Sequence, residues 1–343
     1  MSRWQYFAKR LLLSIPVLVF GASITFLVIR AGPLDPVSAI IGLNGDPRAM
    51  EQVRQQLGLN EPLWRQYVDY MVNLFTFNLG DSWVVQPNTS VYSLVVSYAP
   101  RTIWLGFWSV LIALFVGIPL GFYAGLNPNT FSDYVASFGG IVWRAMPNFW
   151  LAVILMSVLS QSEQFMLGFD WENWAYSTNV TGPPPLPGDI VTLLTSPDQF
   201  GRALKKIAPA AIVLGSASMG NEMRIGRTAV LETVNANFIE TAKAKGVPPR
   251  SLVWKHIFRN ALIPLVPIIT GEAFLLIGGS VLVETVFNIS GIGYLFFQAV
   301  KAGDMPLVGS LMFIFILLVV IINIVQDLLY TVIDPRVGYE GGA

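Results

Sequence analysis

The chain has 343 residues, of which 54% are hydrophobic and 12% charged, with 21 Lys and Arg balanced by 21 Asp and Glu. Soluble domains carry about 25% charged residues, so a wholly water-soluble protein is excluded, and a net charge of zero gives no pointer to nucleic acid. The absence of cysteine excludes disulfides and thiolate metal sites, and a single histidine, His256, excludes multi-histidine centres and weakens any Ser-His reading.

A bilayer core of about 30 Å needs roughly 20 mostly apolar residues as helix. The run Leu11 to Ile29, bracketed by Arg10 and Arg30, meets that length. It exceeds a signal-peptide core of about 7–15 residues and lacks a small-residue cleavage site, so it reads as an uncleaved first span. Further spans are predicted at Thr102–Tyr123, Ser137–Leu159, Ile207–Ile225, Leu262–Phe287 and Val308–Ile333. The third is interrupted by Arg144 and Pro147. The fourth is rich in Gly, Ala and Ser, which suits a helix packed against other helices rather than lipid. The fold class is therefore an all-α integral membrane protein with six transmembrane helices.

Lys and Arg near span ends set orientation. Arg3, Lys9 and Arg10 precede the first span, and Arg227, Lys243, Lys245, Arg250, Lys255, Arg259 and Arg336 fall on the same side. The other side mixes Arg48, Arg54 and Arg65 with several acids. Both termini are expected in the cytoplasm.

Residues 31–101, between the first two spans, are predicted to form a small helical cap outside the cytoplasm. Asp46-Pro47 is a helix start and Gly58 a stop. Asn60 is a candidate cap for a second helix, in which Leu63, Trp64, Tyr67, Val68, Met71, Leu74 and Phe75 recur at helical spacing. Spacing favours a structural lid over span ends; a docking platform for an outer partner is the other reading. Residues 160–206 form a second outer segment, irregular, with Gly182-Pro-Pro-Pro-Leu-Pro-Gly188 as turn or polyproline. Sequons at Asn88, Asn179 and Asn288 all fall on the outer side, and read best as unmodified loop asparagines.

The loop 227–261 enters the cytoplasm. Phe238–Lys245 reads as a short helix ended by Gly246, and Pro248-Pro249 prevents its continuation. Ser251 is a candidate cap for Leu252–Asn260, with Val253, Trp254, Ile257 and Phe258 on one face and Lys255, His256, Arg259 and Asn260 on the other. Such a pair can lie on lipid headgroups, form an ordinary loop, or plug into a soluble partner; the residues alone leave these open.

Here a resemblance appears. Glu240, Ala242, Gly246 and then Ile263-Pro264 resemble the EAA motif of ABC importer permeases, with Thr241 in place of the first Ala and Ile263 where Leu is usual. "RLLLSIPVLVFGASITFLVIRAGPLDP", "LGLNEPLWRQYVDYMVNLFTFNLGDSW", "VLVETVFNISGIGYLFFQAVKAGDMPLV" and "NIVQDLLYTVIDPRVGY" resemble, in order, conserved blocks of the dipeptide and oligopeptide permeases. The blocks span nearly the whole chain; Gln164 to Thr181 matches none of them. The resemblance implies the membrane subunit of an ATP-driven importer for peptides or similar solutes. It implies a second related permease, two cytoplasmic ATPase subunits and an extracytoplasmic binding protein as partners, in a prokaryotic plasma membrane. It also implies that Glu240, Ala242, Lys243, Gly246 and Val247 shape the segment that couples to the ATPase. The core permease domain is then 102–343, after an N-terminal segment and first span over 1–30.

The residues add constraints of their own. A phosphate-cradling Walker A loop needs Gly-Lys, and no lysine follows a glycine. Any ATP hydrolysis belongs to another chain, and no cofactor or enzymatic constellation is expected. Ionisable groups within spans carry functional hypotheses by default. Arg144 and Glu272 lie at similar depths and are candidates to pair near the pathway; in the competing reading Arg144 snorkels and Glu272 is protonated or hydrated. Glu284 and Asp327 are further intramembrane candidates, the latter read with Asn323 as helix–helix glue. Glu222 and Arg224 read as pairing with neighbours. Gly278-Gly279 and Met146-Pro147 are candidate hinges. From another class, an ATP-independent secondary transporter or channel would show internal repeats with paired broken helices, and a non-transporting scaffold would show no accessible cavity.

Overall fold

The computed structural model describes residues 3–32, 36–42, 46–171, 195–272 and 281–333. The Gly182–Gly188 turn, the Asn179 sequon, the Gly278-Gly279 hinge and Arg336 lie outside the described residues.

The chain is helical nearly throughout. Helix α1 (Arg3–Ala31) is followed by α2 (Pro36–Ile41), α3 (Pro47–Gln56) and α4 (Leu63–Phe75), then a two-stranded antiparallel hairpin of β1 (Asp81–Ser82) and β2 (Thr89–Ser90). Helix α5 (Val91–Ile112) runs through a π-turn, Ala113–Gly117, into α6 (Ile118–Leu126). Pro119 lacks the N–H that would close the preceding α-turn, which accounts for the widening there. Helices α7 (Phe131–Ala145) and α8 (Asn148–Ser160) and the single turn α9 (Ser162–Phe165) follow, and then the long α10 (Pro197–Val234). Beyond it come α11 (Asn237–Ala244) and α12, which starts as Pro249–Ser251, widens to a π-turn at Leu252–Ile257 and ends as Phe258–Ala261. The described chain closes with α13 (Val266–Glu272), α14 (Val281–Val286), α15 (Ile292–Ala302) and α16 (Met305–Ile333).

Among the described residues, four helical stretches are long and apolar enough to cross a membrane: Ala8–Ala31, Val91–Leu126, Pro249–Glu272 and Met305–Leu328. A fifth follows if α7 and α8, bent by 96° at Met146-Pro147, count as one broken span. The break is where the sequence placed a hinge. Met146 is extended, with ψ 124°, because the ring of Pro147 disfavours helical geometry in the residue before it. The expected fourth span, Ile207–Ile225, lies within α10, which is not among those apolar helices.

Two caps differ from expectation. Asp46 caps α3 as read, accepting from the N–H of Arg48 at 3.2 Å, and Gly58 adopts the left-handed conformation. Asn60 does not cap α4: that position belongs to Pro62, and Asn60 instead donates to Glu51 at 2.8 Å. Likewise Ser251 does not cap α12. The helix starts at Pro249, three residues before the expected Leu252, in a first turn where a missing N–H costs nothing.

Packing is centred on α10. Buried Leu105, Ala152, Ile207, Leu214 and Val283 join it to α5, α8 and α14. Ile118, Phe122, Ala229, Val230, Ile239, Leu252 and Leu265 join it to α6 and the α11–α13 segment. A third cluster, with Leu18, Leu74, Val91, Leu295 and Leu311, joins α1, α4, α5, α15 and α16.

Candidate functional site

The α11–α12 segment is a rigid projection with one face fixed and one face open. Ile239, Ala242, Leu252, Ile257 and Ala261 are buried against α6 and α10. Glu240, Lys243, Lys245 and Gly246 are exposed, and Val247 is half-buried. Gly246, with φ +73°, ends α11 in a Schellman turn: its N–H donates to Lys243 O at 2.9 Å, and Val247 N–H donates to Ala242 O at 3.2 Å. The five residues singled out from the sequence are thus brought into one helix and its stop. Ala242 faces inward and shows why a small residue stands there; Glu240 and Lys243 face out. Trp254 departs from expectation. It is 62% exposed, beside Pro248, Arg250, Ser251 and Lys255 along a shallow groove, rather than on a buried face with Ile257. The π-turn accounts for the difference, because an extra residue per turn rotates Trp254 out of the 3.6-residue stripe.

The intramembrane candidates separate. Arg144 and Glu272 make no ion pair among the described residues. Arg144 donates to Asn221 at 3.4 Å, an oxygen shared with Arg224 at the same distance. Together with Arg227 these arginines line a cavity of about 300 Å³ between α7 and α10. Glu272 instead faces Glu222 and Ser218. Glu222 is fully buried, and neither of its oxygens has an N–H or hydroxyl donor. The ionisable group that faces it is a second carboxyl group, and no cation pairs with it among the described residues.

Asp327 holds Arg10 at 3.1 Å, joining the last helix to the first; Arg10 is a partner the sequence did not name. Glu284, fully buried, accepts from the Thr102 hydroxyl at 2.8 Å and from the N–H of Tyr294 at 2.8 Å, while Thr102 accepts from Ile292 N–H at 2.7 Å. It ties α14, α5 and the start of α15 together. The glycines after it have a steric reason: a side chain at Gly291 would run into Thr102 and Glu284, and one at Gly293 would stand 3.0 Å from Glu284.

Two polar anchors were not anticipated. Asp304, fully buried, accepts from the N–H groups of Trp83 (3.2 Å), Val84 (3.0 Å) and Val85 (3.0 Å) and from the Ser82 hydroxyl, fixing the hairpin to the start of α16. The Asp-Met-Pro before an apolar run is a helix-start pattern that signals this residue. Asp133 takes both arms of Arg227, one at 2.7 Å, clamping α7 to α10. This is the bidentate geometry that makes arginine–carboxylate pairs strong. Sequence spacing offers no signal for it, because the partners are far apart in the chain.

Comparison with known proteins agrees with this architecture. Residues 117–339 match the family model described as binding-protein-dependent transport system inner membrane component, and residues 3–106 match the corresponding N-terminal model. The chain is 31% identical to a dipeptide transport system permease protein of Alkalihalophilus pseudofirmus, over 97% of this chain and 99% of the relative. It is 33% identical to an oligopeptide transport system permease protein of Bacillus subtilis, with the same coverage. It is 32% identical to a di/tripeptide transport system permease protein of Pseudomonas aeruginosa, over 98% of this chain and 99% of the relative. These relatives are transport permease subunits, not enzymes. A multi-pass helical membrane chain with this motif order, matched along almost its whole length, belongs to the family of binding-protein-dependent transport system inner membrane components.

Proposed function

We propose that the chain forms half of the translocation pathway of an ATP-driven importer for peptides or similar small solutes, coupled to a separate ATPase through residues 238–260. The observation that carries this is the projection itself. Its inner face is sealed into the core, its stop is fixed by Gly246, and its outer face presents Glu240, Lys243, Trp254 and Lys255, all exposed among the described residues. A half-buried loop has no need of an exposed tryptophan; a docking element does, since aromatic and charged anchors dominate interface energetics. Movement of a partner at this face is transmitted directly to α10 and α6 through Ile239 and Leu252.

On this reading six helices cross, with both termini and the projection in the cytoplasm and the hairpin and α4 on the far side of a prokaryotic inner membrane. A second, related permease completes the pathway, two ATPase subunits bind below, and a solute-binding protein delivers substrate above. The peptide names of the relatives supply the substrate class. Charge distribution supports the orientation: Lys243, Lys245, Arg250, Lys255 and Arg259 cluster on the projection, at the end of the bundle where Asp133 holds Arg227.

The test is gentle purification of the tagged chain from native membranes, followed by identification of its companions. An ATPase carrying a Walker A loop and a second permease are expected. Glu240→Lys and Gly246→Asp are expected to lose the ATPase and keep the permease, since the first reverses charge on the open face. The second places a side chain in a left-handed turn at a cost of about 1–2 kcal/mol. If the unaltered chain brings no ATPase in any mild detergent, the coupling reading falls.

A further inference from the structure

Helix α4 turns an apolar side outward, an inversion for a cap standing in water. Leu63, Trp64, Val68, Val72 and Phe75 are all exposed, between 40% and 68%. The opposite side of the helix carries Gln66, Asp69, Tyr70 and Asn73, and these line a cavity of about 320 Å³ together with Arg30 and Asp81. Asp69 and Asn73 are exposed and Gln66 and Tyr70 half-buried, so the helix shows both sides; a helix standing in water would bury the first set.

The depth of α4 explains the inversion. Tyr67 hydrogen-bonds to Ser23 of α1 at 2.7 Å, and Tyr67 and Tyr70 both pack on Phe26, with ring centroids 5.4 Å apart. Ser23 lies within the apolar stretch Ala8–Ala31, roughly 12 Å before its end at about 1.5 Å per residue. At its other end, Phe75 packs on Phe313 with centroids 5.4 Å apart. Phe313 lies within Met305–Leu328, again roughly 12 Å from the end that faces α4 at the same rise per residue. Each stretch is about 36 Å long against a hydrocarbon core of about 30 Å. Centring them leaves both contacts roughly 9 Å inside the core, within the depth of about 5–10 Å at which interfacial helices settle.

The spanning stretch of α1 also shows exposed apolar residues beside its contact with α4. On α1, Phe20 and Leu27 flank Ser23 by a turn on each side and are 68% and 62% exposed.

We infer that α4 is a monotopic helix seated in the leaflet that holds the C-terminal end of α1, with Leu63, Trp64, Val68, Val72 and Phe75 in the acyl chains and Asp69 and Asn73 facing the polar cavity. The region between α1 and the hairpin is then part of the membrane-embedded body and not a platform raised above it. This rests on the chain being a membrane protein and is independent of ATPase coupling.

The chain has no cysteine, so single labels can be introduced cleanly. Val68→Cys, Val72→Cys and Asp69→Cys would be spin-labelled in the protein purified with its companion subunits and returned to vesicles of phosphatidylethanolamine and phosphatidylglycerol. The unaltered chain, labelled in parallel, gives the background. Collision with oxygen, which concentrates in acyl chains, is compared with collision with a water-soluble nickel chelate. The oxygen-to-nickel ratio at Val68 and Val72 is expected to exceed that at Asp69 severalfold. Equal access of the nickel chelate to Val68 and Asp69 would place α4 in water. Exclusion of both relaxants from Val68 and Val72, with immobile labels, would place a protein partner on this face. Either result overturns the inference. Two positions on one face keep the test open should one variant fail to accumulate.

Discussion

At the scale of single residues, the buried acids Glu284, Asp304 and Asp133 tie separate elements together. Glu284 satisfies the Thr102 hydroxyl and the Tyr294 N–H from inside the bundle, where neither donor has water to turn to. Glu284→Ala removes both acceptors, and a buried unsatisfied donor costs about 1–3 kcal/mol. A loss of roughly 2–4 kcal/mol is therefore expected, read as a large fall in the unfolding temperature of the purified chain in detergent. Glu284→Gln keeps one acceptor oxygen and is expected to lose only about 1 kcal/mol. Equal melting of the Ala variant and the unaltered chain would show that the network contributes nothing. The sequence marked Glu284 as an intramembrane charge, which was the right place to look. Its role depended on Thr102, 182 positions away, and no local pattern announces such a partner. Asp304 could have been found, since Asp followed closely by Pro before an apolar run is a cap signal. Arg144 and Glu272 show the limit of depth arguments. Matching height along two spans says nothing of which faces meet, and Asn221 and Glu222 stand where the imagined partners would have been.

At the scale of elements, the packing of α10 on α5 and α6 rests on glycines. Gly117, Gly121 and Gly125 recur every four residues along the side of α5–α6 that meets α10. A side chain at Gly121 would strike the carbonyl of Met223 and stand 2.8 Å from its Cα, and one at Gly125 would stand 2.7 Å from the Cβ of Val230. On the facing helix, a side chain at Gly215 would stand 2.8 Å from the Cβ of Ile112. The helices touch backbone to backbone, which is how helices associate when lipid offers no hydrophobic drive between them. Because the obstacle at Gly121 is main chain, it cannot rotate aside. Gly121→Leu is expected to force the helices apart at a cost of about 1–3 kcal/mol or more. The loss should appear as reduced accumulation and a lowered unfolding temperature, with Gly121→Ala between Leu and native. The exposed Gly139, with nothing near its Cβ, is the control, and Gly139→Ala should leave stability unchanged. An undiminished Gly121→Leu protein would mean that the contact is not made. Element types were largely legible in the sequence, because apolar runs, proline breaks and glycine stops each act locally. The start of α12 was missed by three residues because proline at a first helical turn competes with serine as a helix-start signal. The outward turn of Trp254 was missed because a π-turn leaves no mark in 3.6-residue periodicity.

At the scale of the whole molecule, the open matter is whether α10 crosses the membrane. It is not among the helices apolar enough to be read as spans. Lys205, Lys206, Asn221, Glu222, Arg224 and Arg227 lower its apolarity. A helix wrapped by other helices needs no continuous apolar coat, however, and this one is surrounded by α5, α6, α7 and α8. Its direction argues for crossing. Gly215 meets Ser109 and Ile112, Gly117 meets Met219, Gly121 meets Met223, and Gly125 meets Val230. Numbers rise together on both helices, so α10 runs parallel to α5–α6 from Ser109 to Gly125, roughly 24 Å at about 1.5 Å per residue. A helix that follows a spanning helix over most of a bilayer core of about 30 Å crosses with it. The consequence is topological. Glu163, exposed between α8 and α10, and Lys245, exposed after α11, must then lie on opposite sides. Glu163→Cys and Lys245→Cys in this cysteine-free chain would be treated in intact cells with a membrane-impermeant thiol reagent. Labelling of Glu163→Cys alone is expected, with Lys245→Cys reacting only after permeabilisation. Labelling of both in intact cells, or of neither, would mean that α10 returns to the side it came from. If both are labelled, the positive charge of α11 and α12 lies on the far side, and the proposed coupling of this segment to an ATPase falls with the crossing of α10.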